Sequence, residues 1–297
     1  MSSITGFHEP VALSDAVTLL ADSGPGTMLL AGGTDLGVQV RRGLVAPTDL
    51  ISLNRIPELS RLAMADGELV IGAGVTHRQI EQSKLFDAAL VGLAEACETV
   101  GAVQTRNAGT IGGNLANASP AADTPPVLMA FRATLDIVGA AGHRDVGIDE
   151  FFLDYRTTVL NAGDIVTAVR VPLPKGAAGS AFVKLGRRRA MEISISCAAA
   201  FMRLAEDLET CAEVGIGLGS VAATTIRATQ GESTLRGEPV TDELLHAAAD
   251  AAATHCRPVD DIRATATYRR DVTRVLVYRA LRRAFDRAQA GTRGVTR

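Results

Sequence analysis

Thr110-Ile111-Gly112-Gly113-Asn114-Leu115-Ala116-Asn117-Ala118-Ser119-Pro120-Ala121-Ala122-Asp123 decides how this chain is read. Its fourteen residues hold two Gly, two Asn, a Thr and a Ser between apolar helical segments. That is too polar for a plain connection, so water or a ligand must satisfy it. A second glycine pair lies upstream, in Leu29-Leu30-Ala31-Gly32-Gly33-Thr34-Asp35-Leu36. Glycine permits positive φ, so consecutive N–H groups can converge on one point, and without a Cβ the backbone can approach a ligand closely. Thr34, Thr110, Asn114 and Ser119 add neutral side-chain donors. Convergent neutral donors suit a pyrophosphate, which needs hydrogen bonds more than a particular cation. Two ordinary tight turns are the competing explanation, and the plainer one for Gly32-Gly33 taken alone.

Outward from these stretches, strands and helices are mixed. Ser14 is expected to cap a helix carrying Ala16, Val17, Leu19 and Leu20. Met28-Leu29-Leu30-Ala31 reads as a short buried strand, and Leu62 to Ala73 as a hairpin turning at Asp66-Gly67 with Leu69 and Ile71 on one face. Thr76 and Gln79 form a capping box for a helix through Ser83. Helices are expected over residues 88–100 and from Pro125-Pro126 to about Arg132, with strands over 134–138 and 165–171. The Pro/Gly/Ala stretch of residues 172–179 marks a domain boundary, giving domains 1–175 and 176–297. Beyond it, residues 181–185, 193–204 and 212–218 read as three antiparallel strands. Helices follow from Thr241 and over residues 267–288, the second with Val272, Val275, Leu276, Leu281 and Phe285 along its inner face. Strands first and helices afterwards argue α+β.

Composition removes several functions. At 297 residues the chain can fill two cores, burying roughly three quarters of its unfolded surface. A net charge of −3 gives no basic excess for a polyanion, and 4% aromatics without Trp leaves few platforms on which nucleobases could stack. Nucleic acid is not an expected partner. No apolar run reaches the ~18 residues of a membrane span, and the opening MSSITGFHEP lacks the basic and apolar regions of a secretory signal, so a cytoplasmic protein is expected. Cys97, Cys197, Cys211 and Cys256 form no CxxC and read as buried thiols, with no metal expected on this chain. The five His show no triad or HExxH context and read as solvated or helix-surface residues. A GxGxxG between strand and helix, a P-loop and a GxSxG elbow are all lacking. From Arg257 onward there are eleven Arg against four Asp, which is a solvated helix face or a partner-facing patch.

Thr110-Ile111-Gly112-Gly113-Asn114, preceded by Gln104-Thr105-Arg106-Asn107-Ala108-Gly109 and followed by Ser119-Pro120-Ala121-Ala122-Asp123, resembles the second flavin-binding signature of the molybdenum hydroxylases. Ala31-Gly32-Gly33-Thr34-Asp35-Leu36 resembles their first. The resemblance is to the FAD-binding medium subunit found in carbon monoxide and xanthine dehydrogenases. It extends to Phe182-Val183-Lys184-Leu185-Gly186-Arg187-Arg188 and Arg263-Ala264-Thr265-Ala266-Thr267-Tyr268-Arg269, near the two ends of the C-terminal domain. It implies a two-part FAD-binding domain of the vanillyl-alcohol-oxidase-like type, followed by a smaller domain with a three-stranded antiparallel sheet and helices.

By that resemblance, residues 29–36 (Leu29, Leu30, Ala31, Gly32, Gly33, Thr34, Asp35, Leu36) and 110–114 (Thr110, Ile111, Gly112, Gly113, Asn114) wrap the FAD pyrophosphate and adjoining ribose. Asp123 contacts the cofactor, through ribityl or ribose hydroxyls rather than phosphate, or caps the helix at Pro125-Pro126, or both. Lys184 lies near the flavin, where a cation would favour the reduced state, unless it is a solvated strand residue. Val100 and Ile165 pack on the cofactor or serve as plain core. The family implies an electron-transfer subunit with no catalytic side chain of its own. The [2Fe–2S] clusters would lie on a small subunit and the molybdenum cofactor on a large one, in a heterotrimer or its dimer. The branch that carries an extra cluster on this subunit, the benzoyl-CoA-type reductases, is set aside for want of cysteine ligands. An accessory flavin binder without turnover, or a free-standing FAD oxidoreductase related to the enolpyruvyl-glucosamine reductases, are the alternatives; the last would need a proton-donating acid that is not evident.

Overall fold

The computed structural model describes residues 4–188 and 190–293; Met1–Ser3, where the N-terminal reading begins, and residues 294–297 of the C-terminal range lie outside the described residues. The chain opens with β1 (Gly6–His8), α1 (Leu13–Ala21), β2 (Thr27–Leu30), α2 (Leu36–Arg41) and β3 (Asp49–Ser52). The strands form a parallel sheet in the order β1-β3-β2, with Leu29 opposite Ile51. β2 is half-buried along its length rather than buried, because it is an edge strand. Ser14 does not cap α1. The extended Ala12 precedes the helix without a side-chain bond, and Ser14 is already the second helical residue, where its hydroxyl cannot serve the first-turn amides an N-cap satisfies.

The next layer is antiparallel. β4 (Leu62–Ala65) and β5 (Glu68–Gly72) form the expected hairpin, with Asp66 at φ 53° and Gly67 at φ 79° as a two-residue left-handed turn requires. Leu69 and Ile71 are both fully buried. Five short helices follow: α3 (His77–Gln82), α4 (Val91–Glu98), α5 (Val103–Ala108), α6 (Ile111–Ala116) and α7 (Thr124–Ala130). The Thr76/Gln79 capping box is formed in both directions. Then come β6 (Thr134–Gly139), β7 (Gly142–Gly147), α8 (Ile148–Phe151), the hairpin β8 (Phe152–Asp154) and β9 (Thr157–Thr158), and β10 (Ile165–Pro172). The sheet order is β4-β5-β10-β6-β7.

After residues 173–177 the chain enters a separate antiparallel sheet of β11 (Ala178–Leu185), β12 (Ser196–Leu204), β13 (Cys211–Gly219) and a short fourth strand β14 (Ile226–Arg227). Helices α9 (Thr229–Leu235), α10 (Asp242–Ala253) and α11 (Ala266–Arg293) complete it. Alternation along the strands sends Ala198, Ala200, Ile216 and Leu218 toward α10 and α11, and Phe182, Cys197, Ala199 and Phe201 into the core of the preceding layer. Val275, expected on the inner face of α11, is 44% exposed; Leu276, Leu281 and Phe285 are buried.

Helix α7 joins the halves, and every residue in it is buried. It lies on the glycine face of Gly215-Ile216-Gly217-Leu218-Gly219: a Cβ on Gly215 or Gly217 would strike the carbonyl oxygens of Ala130 or Pro126. These glycines serve close helix–sheet approach. Ser180 and Glu95 stitch the same junction, Ser180 Oγ accepting from Gly92 N (2.9 Å) and Glu95 Oε2 from Phe182 N (2.9 Å). All four cysteines are free and buried.

Candidate functional site

A cleft of about 480 Å³ runs between the β2–α2 turn and the α5–α6 segment, within the roughly 300–1,000 Å³ typical of ligand sites. The two diglycines face it with different roles. At the first, only Gly33 takes positive φ, at 68°. Among the described residues no protein acceptor takes the backbone N–H of Gly32, Gly33, Thr34, Asp35 or Leu36. A run of unused amides bent around a left-handed residue is an anion-binding concavity. Gly32 also lies directly on the end of α5, just before the second stretch, for a Cβ there would collide with the Ala108 carbonyl.

The second diglycine corrects the sequence reading. Residues 111–116 are helix α6 rather than loop, and neither Gly112 nor Gly113 has positive φ. Its amides are already used: Ile111 N donates to Val75 O, Gly112 N to Ala73 O, Gly113 N to Thr110 Oγ1 and Asn114 N to Thr110 O. Gly112 is glycine because a Cβ would sit 2.6 Å from that of Ala73. Gly113 faces the cleft, where a Cβ would meet only Thr110 Oγ1, at 3.0 Å. Asn114 Oδ1 accepts from Thr124 Oγ1 (2.7 Å), which leaves its Nδ2 without a protein partner among the described residues.

Of the residues singled out from sequence, Leu29, 31–36, Val100, Thr110, 112–114 and Ile165 line this one cleft. Leu30, Ile111, Asp123 and Lys184 do not line it. Leu30 points away from Leu29 along β2 and approaches Gly33, and Ile111 is fully buried in the core. Asp123, which is buried, and Lys184, whose side chain is 10% exposed, are paired with each other at 2.6 Å. Lys184 Nζ also donates to Thr99 O (3.2 Å), beside cleft residue Val100, and Ser194 Oγ donates to Asp123 (2.7 Å). Burial pushes the Asp123 carboxyl upward, and Lys184 and Ser194 pull it back. Asp123 precedes α7 but makes no side-chain cap bond.

The sequence reading missed Gln39, Asn54, His77, Asn117 and Arg156 in the wall. His77 is not a surface residue: it is 2% exposed, held by its place just after the Thr76 cap. Asn117 belongs to the polar stretch already singled out; nothing local marks Arg156. Among the described residues one further group of possible metal ligands gathers, Asp136, His143 and Asp145, and the Arg170 guanidinium already bridges its carboxylates at 2.7 and 2.6 Å.

Similarity to known proteins follows this layout. Residues 2–174 match the family described as the FAD binding domain in molybdopterin dehydrogenase, and residues 181–284 match the CO dehydrogenase flavoprotein C-terminal domain. The carbon monoxide dehydrogenase medium chain of Hydrogenophaga pseudoflava is 35% identical, over 95% of this chain and 97% of its own. The xanthine dehydrogenase FAD-binding subunit of Escherichia coli O157:H7 is 31% identical, over 91% and 92%. A solved carbon monoxide dehydrogenase from H. pseudoflava, lacking the Mo-pyranopterin moiety of its cofactor, superposes with a TM-score of 0.91 at 34% identity, covering 97% of this chain and 99% of that one. Quinoline 2-oxidoreductase from Pseudomonas putida 86 gives 0.89 at 27% identity, with the same coverage. The chain belongs to the FAD-binding subunit family of the carbon monoxide and xanthine dehydrogenases, as an oxidoreductase subunit.

Proposed function

We propose that this chain is the FAD-bearing electron-transfer subunit of a cytoplasmic molybdenum hydroxylase, taking electrons from [2Fe–2S] clusters on a small subunit that serves a molybdenum-cofactor large subunit. Residues 1–175 form its flavin domain and 176–297 its C-terminal domain. The supporting observation is the run of amides at residues 32–36 that find no acceptor among the described residues, in the same cleft as Gly113. Those groups fit a dinucleotide: the amides take the diphosphate, Asn114 Nδ2 and the Thr110 hydroxyl take neighbouring oxygens, and the apolar wall at Leu29, Val100 and Ile165 takes ring surface. Asp123 and Lys184 lie behind that wall and set the local charge next to Val100.

Bound FAD supplies the ability to collect single electrons and release them in pairs. The chain's own work is to bind, orient and control access. Mixing the purified subunit with its partners and substrate tests the reading. Bleaching of the flavin absorbance is expected only when partner subunits are present. Bleaching by substrate with the isolated chain would instead indicate a free-standing oxidoreductase.

A further inference from the structure

The amide cradle is neutral, whereas the ligand proposed for it carries two negative charges. Arg156 is the single Lys or Arg lining the cleft among the described residues, and His77, the one imidazole there, has its pKa pushed down to about 4 by burial and by Arg106. The cleft also holds two carboxylates. Asp164 is already compensated by Arg144 at 2.8 Å and by Asn161. Asp35, at the end of the cradle, has no ion-pair partner within bonding distance among the described residues. Asp35 and Arg156 line the same cleft; partial burial raises the Asp35 pKa, and the field of Arg156 lowers it.

Arg156 is placed there at a cost. It sits at the tip of the β8–β9 hairpin with φ 52°, a left-handed conformation that is strained for a bulky residue. Its Nη1 donates to Asn117 Oδ1 (3.0 Å), which also accepts from Gln39 Nε2 (3.3 Å). One amide oxygen therefore ties the hairpin to both walls of the cleft, α2 through Gln39 and the end of α6 through Asn117. A single amide oxygen is a weak partner for a guanidinium with five donors, so most of its capacity is unused.

We propose that Arg156 is the counter-charge for the diphosphate of the dinucleotide seated on the 32–36 amides, delivered by the β8–β9 hairpin as a strap across the cleft mouth. This rests on the flavin reading of the cleft and adds a charged contact to it. Anion binding by amides alone responds weakly to salt, whereas a partly exposed guanidinium–phosphate pair is screened as ionic strength rises.

The test is titration of the FAD-free full chain with FAD, read by quenching of flavin fluorescence, across a series of KCl concentrations. Wild-type affinity should fall with salt. Arg156→Gln should bind at least about ten-fold more weakly at low salt, with a flattened salt dependence and an unchanged melting temperature of the FAD-free protein. Arg156→Lys should keep most of the salt dependence, because it keeps the charge. If Arg156→Gln matches the wild type in affinity and salt response, this inference is overturned and the flavin reading stands. If the wild-type chain itself takes up no FAD, both are overturned.

Discussion

His77 lies in the cleft wall with Nδ1 3.6 Å from Cys97 Sγ, and burial first and the Arg106 guanidinium second push its pKa down to about 4. The folded state therefore holds it neutral, while the unfolded chain takes a proton below about 6.5. Stability from this residue is present above pH 6.5 and is lost as pH falls to about 4, a change of roughly 3 kcal/mol. Urea unfolding of the FAD-free protein should show that loss, and His77→Gln should remove it; identical pH profiles for the two proteins would contradict the assignment. Gly32 carries a different constraint. Its φ is unexceptional, yet Gly32→Ala would drive a methyl into the Ala108 carbonyl and part the two walls. A loss of about 1–3 kcal/mol in stability is expected, with weakened FAD retention. Retention and stability equal to wild type would show that the walls give way freely.

Among elements, the strand–helix junction around α7 holds the least slack. Lys184 on β11 and Asp123 before α7 form a buried pair, so Lys184→Met leaves an uncompensated carboxylate. A penalty of about 3–5 kcal/mol is expected, and Lys184→Met combined with Asp123→Asn should recover most of it. A double variant no more stable than the single one, by chemical denaturation, would mean that the pair is not the source. Local chemistry made several elements legible. Asp66-Gly67 specifies its own turn, and Thr76 and Gln79 cap each other across three residues. The parallel pairing of β1 and β2 with β3 was not legible, because short edge strands leave no period to read and their partners are distant in sequence. Part of the polar stretch at 110–123 lines the cleft, but its glycines are helical rather than positive-φ turn residues. Glycines that serve helix packing and glycines that serve positive φ look alike until the neighbouring backbone, here Ala73, is seen. The same ambiguity concealed why Gly215, Gly217 and Gly219 recur at every second position, where they admit α7 against the sheet.

At the scale of the whole molecule, the β11–β14 sheet contributes one face to each of two cores, with Ala199 and Phe201 on one side and Ala198 and Ala200 on the other. Neither half closes its own core. Calorimetry should therefore give one cooperative transition, and a chain ending at residue 175 should expose α7 and fail to unfold cooperatively. Two well-separated transitions would contradict that coupling. The resemblance in sequence identified the family, and most of the residues it singled out line one cleft. The amides of residues 32–36 lack protein acceptors among the described residues while those of 111–114 are used within the fold, so on the proposed reading the first glycine stretch builds the cradle and the second supplies room. Gly113→Val separates these two contributions, since a Cβ there meets only the Thr110 hydroxyl, at 3.0 Å, and the position lines the cleft. The most direct measurement is the FAD content per chain of purified Gly113→Val beside wild type, with circular dichroism on both. A folded variant devoid of flavin is expected, and a folded variant with one FAD per chain would contradict the site.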